Sequence, residues 1–162
     1  MSGYHLAQIN VGRFIYDRDD PANADFMNAL DPVNAQADAA PGFIWRLVGS
    51  GNDATELVPD EADPQLLVNM SVWRDAETLG AFVYRNTDHL AFMRRRKEWF
   101  EKIEIFQALW WVPAGHIPSV AEGMAQVMML RTKGVSADAF TFRNTFPAPD
   151  GTPAAIILDE CA

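Results

Sequence analysis

The chain of 162 residues has one cysteine, Cys161, beside the C-terminus, so no disulfide can form within it. It has no excess of basic charge. The net charge of −9 argues against a nucleic-acid or anionic-membrane partner, because both select for positive surfaces. No apolar run approaches the roughly 20 residues that cross a bilayer. The opening "MSGYHLAQINVGRF" lacks the basic start and long apolar stretch of a secretory signal. A reducing cytoplasm is therefore the expected compartment. The three histidines are too scattered for metal-ligand spacing, and GxGxxG, P-loop, HExxH, GxSxG and paired-cysteine motifs are absent. No metal site is expected. What remains is ordinary for a globular protein, 49% hydrophobic and 22% charged. The length suits one domain, expected over 1–147, with a tail over 148–162.

Periodicity supplies the elements. "YHLAQINVGRF" alternates and reads as a first strand. "DPANADFMNAL" carries Asp20 as N-cap and Pro21 at the first helical position, and "DPVNAQADAAPG" repeats the device with Asp31 and Pro32. A kinked or restarted helix should follow, with Phe26, Leu30, Val33 and Ala37 on one face. "PGFIWRLVG" and "LLVNMSVWR" read as strands two and three, joined by a polar loop. "DAETLGAFVYRN" reads as a helix that restarts at Asp88, and "IEIFQALWWV" as the fourth strand. Ser119 and Glu122 predict a capping box for a last helix stopped by Gly134. "AAIIL" in the tail is a possible edge strand. The order β-α-β-β-α-β plus a C-terminal helix is the α+β, ferredoxin-like pattern.

Successive strand residues point to opposite faces, so Trp110 and Trp111 must lie on opposite sides of the sheet. Sorting by parity puts Ala7, Ile9 and Val11 opposite Leu6, Gln8 and Asn10. In the third strand Leu66, Val68, Met70 and Val72 oppose Leu67, Asn69, Ser71 and Trp73. In the fourth, Phe106, Ala108, Trp110 and Val112 oppose Ile105, Gln107, Leu109 and Trp111. The second sets Phe43, Trp45 and Leu47 against Ile44, Arg46 and Val48. One face is purely apolar and is expected beneath the helices. The other mixes bulky apolar groups with a few hydrogen-bonding ones, which is how small-molecule pockets are lined. A face of that size should not stay bare, so a homodimer through the sheet faces is expected, with Trp111 facing a covered cavity.

These same segments, "YHLAQINVGR", "ALDPVNAQAD", "PGFIWRL", "LLVNMSVW", "FVYR", "RRKEWF" and "LWWVPAGHIPS", resemble the bacterial domain-of-unknown-function family 3291. The resemblance runs from Tyr4 to Pro147. That family resembles the dimeric α/β-barrel superfamily, which includes antibiotic-biosynthesis monooxygenases and haem-degrading monooxygenases. The resemblance implies two sheets packed across a dimer. It also implies a monooxygenase-like enzyme acting without a cofactor on an aromatic or anionic small molecule.

Six residues carry that expectation beyond the general lining by Gln8, Asn10 and Gln107. Asn69 and Trp73 stand four apart on one strand face, and the superfamily's cofactor-free enzymes use a similar pair to position a phenol and oxygen. The alternative is an amide that satisfies a neighbouring strand, with Trp73 as core. His89 resembles the helical iron ligand of the haem-degrading relatives, though a solvated or capping histidine after Asp88 is commoner and the Trp73-to-His89 spacing is longer than in the haem-binding pattern. A buried Arg46 demands a carboxylate, either a ligand's or that of Glu104 or Glu56. Trp111 should wall the cavity, and His116 sits in a loop at its mouth. "RRRK" (Arg94–Lys97) lies among acids and reads as a salt-bridged helix face. Three functions stay open: an oxygen-using or cofactor-independent enzyme, a non-catalytic small-molecule binder, and a haem protein through His89.

Overall fold

The computed structural model describes residues 3–154. Four strands, β1 (Tyr4–Arg13), β2 (Phe43–Arg46), β3 (Leu66–Trp73) and β4 (Gln107–Pro113), form one antiparallel sheet in the order β2-β3-β1-β4. Helix α1 (Ala24–Ala39) connects β1 to β2. Helices α2 (Ala76–Arg85) and α3 (Thr87–Arg94) connect β3 to β4, and α4 (Val120–Lys133) follows β4. This is the ferredoxin-like arrangement with one added helix. No described helix is long and apolar enough to cross a membrane.

Short-range chemistry sets the helix ends. Asp20 accepts from the Ala22 N–H and opens a short 3-10 turn at Pro21–Asn23 that leads into α1. Pro32 lies inside α1, so the second Asp-Pro pair neither stops nor restarts that helix. Asp75 and Thr78 form a reciprocal capping box on α2. Asn86, not Asp88, caps α3 by accepting from the His89 N–H. On α4 only half of the expected box forms. Ser119 Oγ accepts from the Glu122 N–H, but the Glu122 carboxylate turns away to Trp110 Nε1 (3.3 Å) and His116 Nε2 (2.9 Å).

The parity sorting of β1, β3 and β4 holds within the strands, but helices cover both faces rather than the apolar one alone. The purely apolar face, with Ile9, Met70 and Trp110 at its centre, packs under Val127 and Leu130 of α4. Close approach there needs Gly123, because a Cβ at that position would stand 2.8 Å from Ile9 Cδ1. The mixed face lies under α1 and α2: Leu6, Trp73 and Leu109 meet Ala37, Leu79 and Phe82. Parity tells which side chains share a face. The handedness of the β-α-β crossover decides which face the crossover helices cover.

Two further corrections are local. A register shift between Phe43 and Trp45 puts Phe43 opposite Trp73, on the mixed face, while Trp45 joins the apolar cluster. One extra residue in one strand inverts the alternation beyond it. Ile105 precedes β4, which begins at Gln107, and it packs against the apolar cluster.

The mixed face is also closed from within the chain. Phe140 exchanges backbone hydrogen bonds with Leu109 on the open edge of β4, at 2.8 and 2.9 Å. Phe140 and Phe142 are buried against Leu6, Trp73 and Leu109, and Trp111 Nε1 donates to the Phe146 carbonyl at 2.8 Å. Leu109, expected at a subunit interface, is 0% exposed. Residues 136–146 and helices α1 and α2 thus cover within one chain the face expected at a subunit contact. Of the tail, the family-like core continues through Ala148, which is buried and closes a turn with Thr152. All of "AAIIL" beyond Ala154, together with Cys161, lies outside the described residues.

The two tryptophans should respond differently to mutation. Trp110→Ala empties a buried site beneath α4 and should cost about 3–5 kcal/mol in urea unfolding. Trp111→Phe keeps most of the packing and loses one hydrogen bond, at about 1 kcal/mol. Its signature should be faster amide exchange at Phe140 and Leu109. Equal losses in the two variants would contradict the arrangement.

Candidate active site

Strand pairing converts the parity list into rows that cross the mixed face. Trp73, Leu6 and Trp111 are opposite one another on β3, β1 and β4. One step down come Ser71, Gln8 and Leu109, and next Asn69, Asn10 and Gln107. Opposed residues in a sheet share a face and touch. The last row is therefore three amides abreast. Below it Leu67 belongs to a separate aromatic cluster built on Phe14, Phe26 and Trp99.

Hydrogen bonds tie the upper two polar rows together. Gln8 Nε2 donates to Ser71 Oγ (2.8 Å) and to Asn69 Oδ1 (2.9 Å). Trp73 Nε1 also donates to Ser71 Oγ, at 2.8 Å. Asn10 Nδ2 reaches Gln8 Oε1 (3.2 Å) and Asn69 Oδ1 (3.3 Å). Gln8 is 4% and Ser71 8% exposed, so this junction satisfies amides that would otherwise be costly to bury. Trp73, at 1% exposure, has committed its only N–H to Ser71 and serves as a wall.

The amide row is different. Asn69 is exposed although it sits mid-strand in the sheet interior, flanked along β3 by buried Val68 and Met70. Asn10 and Gln107 are partly open. Helix α1 runs from the lower aromatic cluster, through Phe26 and Leu30, to the upper one, through Val33 and Ala37. The helical layer nevertheless leaves a gap over the row. Among the described residues no partner occupies Asn69 Nδ2, Asn10 Oδ1 or the Gln107 amide. The trough thus offers one donor, one acceptor and one group of both kinds, between partly buried apolar side chains.

The remaining predicted residues lie elsewhere or are already engaged. Arg46 shares the mixed face, opposite Ser71, but Asp38 of α1 holds its guanidinium (Nε to Oδ1, 2.7 Å) and Asn52 takes the rest. Its carboxylate partner is Asp38, neither Glu104 nor Glu56. His116 belongs to the opposite face, at the Trp110–Glu122 end of α4. His89 lies over Phe82, ring centroids 5.1 Å apart, and Phe82 stacks on Trp73 at 5.5 Å. Aromatic rings fill the space between His89 and the sheet, which sets the imidazole apart from the amide row. No group of three or more metal-ligating side chains occurs among the described residues.

Ser71, which joins Gln8 to Trp73, went unrecognised in the sequence because a lone serine carries no spacing signal. Closure by residues 140–146 was available there: "FTF" alternates as a strand does.

Burial pushes the His89 imidazole below its usual range, against the opposing pull of its contact with the Val83 carbonyl at 3.0 Å. The folded state therefore prefers neutral His89, while the unfolded chain takes up its proton near pH 6.5. Stability from this residue is present above that value and falls as pH drops below it. In urea unfolding at pH 7.5 and 5.5, His89→Gln should lose less stability on acidification than wild type. An identical pH dependence would contradict the buried neutral imidazole.

Solved structures share the fold at low identity. A candidate antibiotic biosynthesis monooxygenase from Nitrosomonas europaea superposes with a TM-score of 0.50 at 13% identity, over 74% of this chain and 98% of that one. PA3566 from Pseudomonas aeruginosa gives 0.48 at 17%, over 72% and 98%. SnoaB, a cofactor-independent oxygenase from Streptomyces nogalater, gives 0.45 at 14%, over 70% and 95%. Such likeness speaks to the fold alone. No curated protein matches significantly. The match to one family model reaches past Pro147 and takes in nearly the whole described chain: over residues 5–155 this protein belongs to the family described as a domain of unknown function, DUF3291.

Proposed function

We propose that the trough over Asn69, Asn10 and Gln107 binds a small aromatic or anionic molecule, and that the protein is an enzyme of the antibiotic-biosynthesis-monooxygenase-like type. The observation that carries this reading is the exposed Asn69 on an interior strand, with uncommitted amide groups beside it. A carbonyl or phenolate oxygen accepts from Asn69 Nδ2, and a hydroxyl donates to Asn10 Oδ1. Amides bind and orient but do not take up protons near neutral pH. The substrate must then supply its own acidic group and electrons. For a phenol bearing a reactive methylene, the balanced change is CH2 plus O2 to C=O plus H2O. A non-catalytic binder would use the same trough, and turnover separates the two. The trough is built from one chain, so ligand binding needs no second subunit.

The test uses 1,8-dihydroxyanthrone in an oxygen electrode, with native mass spectrometry of protein purified from its own host. Wild type should raise oxygen uptake above the uncatalysed rate, and Asn69→Leu should abolish the increment. Retained ligand without oxygen uptake would leave the binder. Neither ligand nor uptake would remove both readings.

Binding and folding should separate within the same face. Asn69→Ala removes one acceptor from the buried Gln8 amide, at a position open to water, and should cost about 1 kcal/mol. Ser71→Ala strands two buried donors, Trp73 Nε1 and Gln8 Nε2, and should cost about 1–3 kcal/mol. Equal thermal shifts would mean that Asn69 is structural.

A further inference from the structure

A second concavity lies outside the helical layer, between the end of α1 and the outer face of α2. Its volume is about 420 Å³, and its floor is Ala40, Pro41, Ala81 and Phe82. None of the three trough amides lines it. Phe82 separates the two sites, with its ring stacked on Trp73.

The groove's polar groups divide into spent and unspent. Thr78 is committed to the α2 capping box, and the Asn86 amide donates to Gln36 Oε1 at 2.7 Å. Gln36 in turn donates to Asp88. At the near end Arg74 Nε pairs with Asp75 at 3.1 Å, and Glu77 adds a negative charge. At the far end the Arg85 guanidinium is exposed and makes no ion pair or hydrogen bond among the described residues. Arg85 suits the C-terminal turn of α2, where a cation faces the helix dipole, and its guanidinium remains available beside an apolar floor.

We propose that this groove binds a small amphipathic carboxylate, its chain on the Ala40, Ala81 and Phe82 floor and its carboxylate on Arg85. Asp75 and Glu77 offset the charge of Arg74 at the near end, so the anion is favoured at Arg85. The guanidinium fork suits a carboxylate, which accepts two parallel hydrogen bonds. From Thr78 to Arg85 is seven residues of helix, about 10 Å at the α-helical rise. That length fits an extended chain of about eight carbons. The site stands apart from the proposed function and does not rest on it.

The experiment titrates 15N-labelled full-length protein with octanoate, using 1-octanol as the uncharged control. Octanoate should shift the amide resonances of Ala81, Phe82 and Arg85 and saturate. Arg85→Ala should weaken binding about ten- to hundredfold, as expected for losing a hydrogen bond to a charged group. Octanol should bind more weakly by a similar factor. Ala81→Phe should fill the groove and block binding, with the remaining spectrum unchanged. The proposal is overturned if octanoate produces no saturable shift, or if Arg85→Ala binds as wild type does. It is also overturned if the shifts fall on Asn10, Asn69 and Gln107, which would assign the ligand to the trough instead.

Discussion

The structure turns on a primary amide placed where water cannot reach it. Gln8 stands on β1, one of two strands with a neighbour on each side, and it is 4% exposed beneath a helical layer. A buried amide is tolerated only when its donors and acceptor are met. Ser71, Asn69 and Asn10 meet them from the same face. The arrangement aligns β1 with β3, fixes the Trp73 indole through Ser71, and leaves Asn69 and Asn10 with unused groups at the open side. The candidate site is the unsatisfied margin of a satisfied core network.

Both faces of the sheet are closed by the same chain, through unlike means. On the apolar face α4 lies close because Gly123 has no side chain. On the mixed face α1 and α2 leave room at one end, which Phe140, Phe142 and Phe146 fill. Phe140 pairs with the β4 edge, which would otherwise be an exposed template for association. The lower end of the mixed face is sealed by rings packed around Phe26, including Phe14 and Trp99 at 5.6 and 5.5 Å. Between these two aromatic seals lies the amide row. Its members stay open to solvent, Asn69 most of all.

Charge is dispersed over the surface, and its few buried or half-buried members are individually restrained. Arg46 ties α1 to the loop after β2 through Asp38 and Asn52. Arg18 clamps backbone carbonyls of Thr55 and Leu66. Arg96, from the basic run, lies over the Phe106 ring at 4.2 Å, while Arg95 alone of that run pairs with Asp25 and Glu98. The run is thus only partly the salt-bridged face that its composition suggests. Arg85 and Arg94 are exposed guanidiniums without such restraint among the described residues.

Element order, the capping residues Asp20 and Ser119, and the partition of β1, β3 and β4 into apolar and mixed faces were determined by the sequence alone. Each depends on spacing of one or two residues along a single strand or turn, and local geometry decides it. Tertiary structure decided the rest. Which helices cover the mixed face follows from crossover handedness, and the placing of Phe43 from one bulged residue; neither has a periodic signature. The same holds for roles. Alternation put Gln8, Asn10, Asn69, Gln107 and Trp111 on one surface, but separating the buried junction from the open amide row needed the third dimension. Whether Asn69 is exposed depends on where α1 and α2 stop covering the sheet, and helix-on-sheet packing sets that through contacts between residues far apart in the chain.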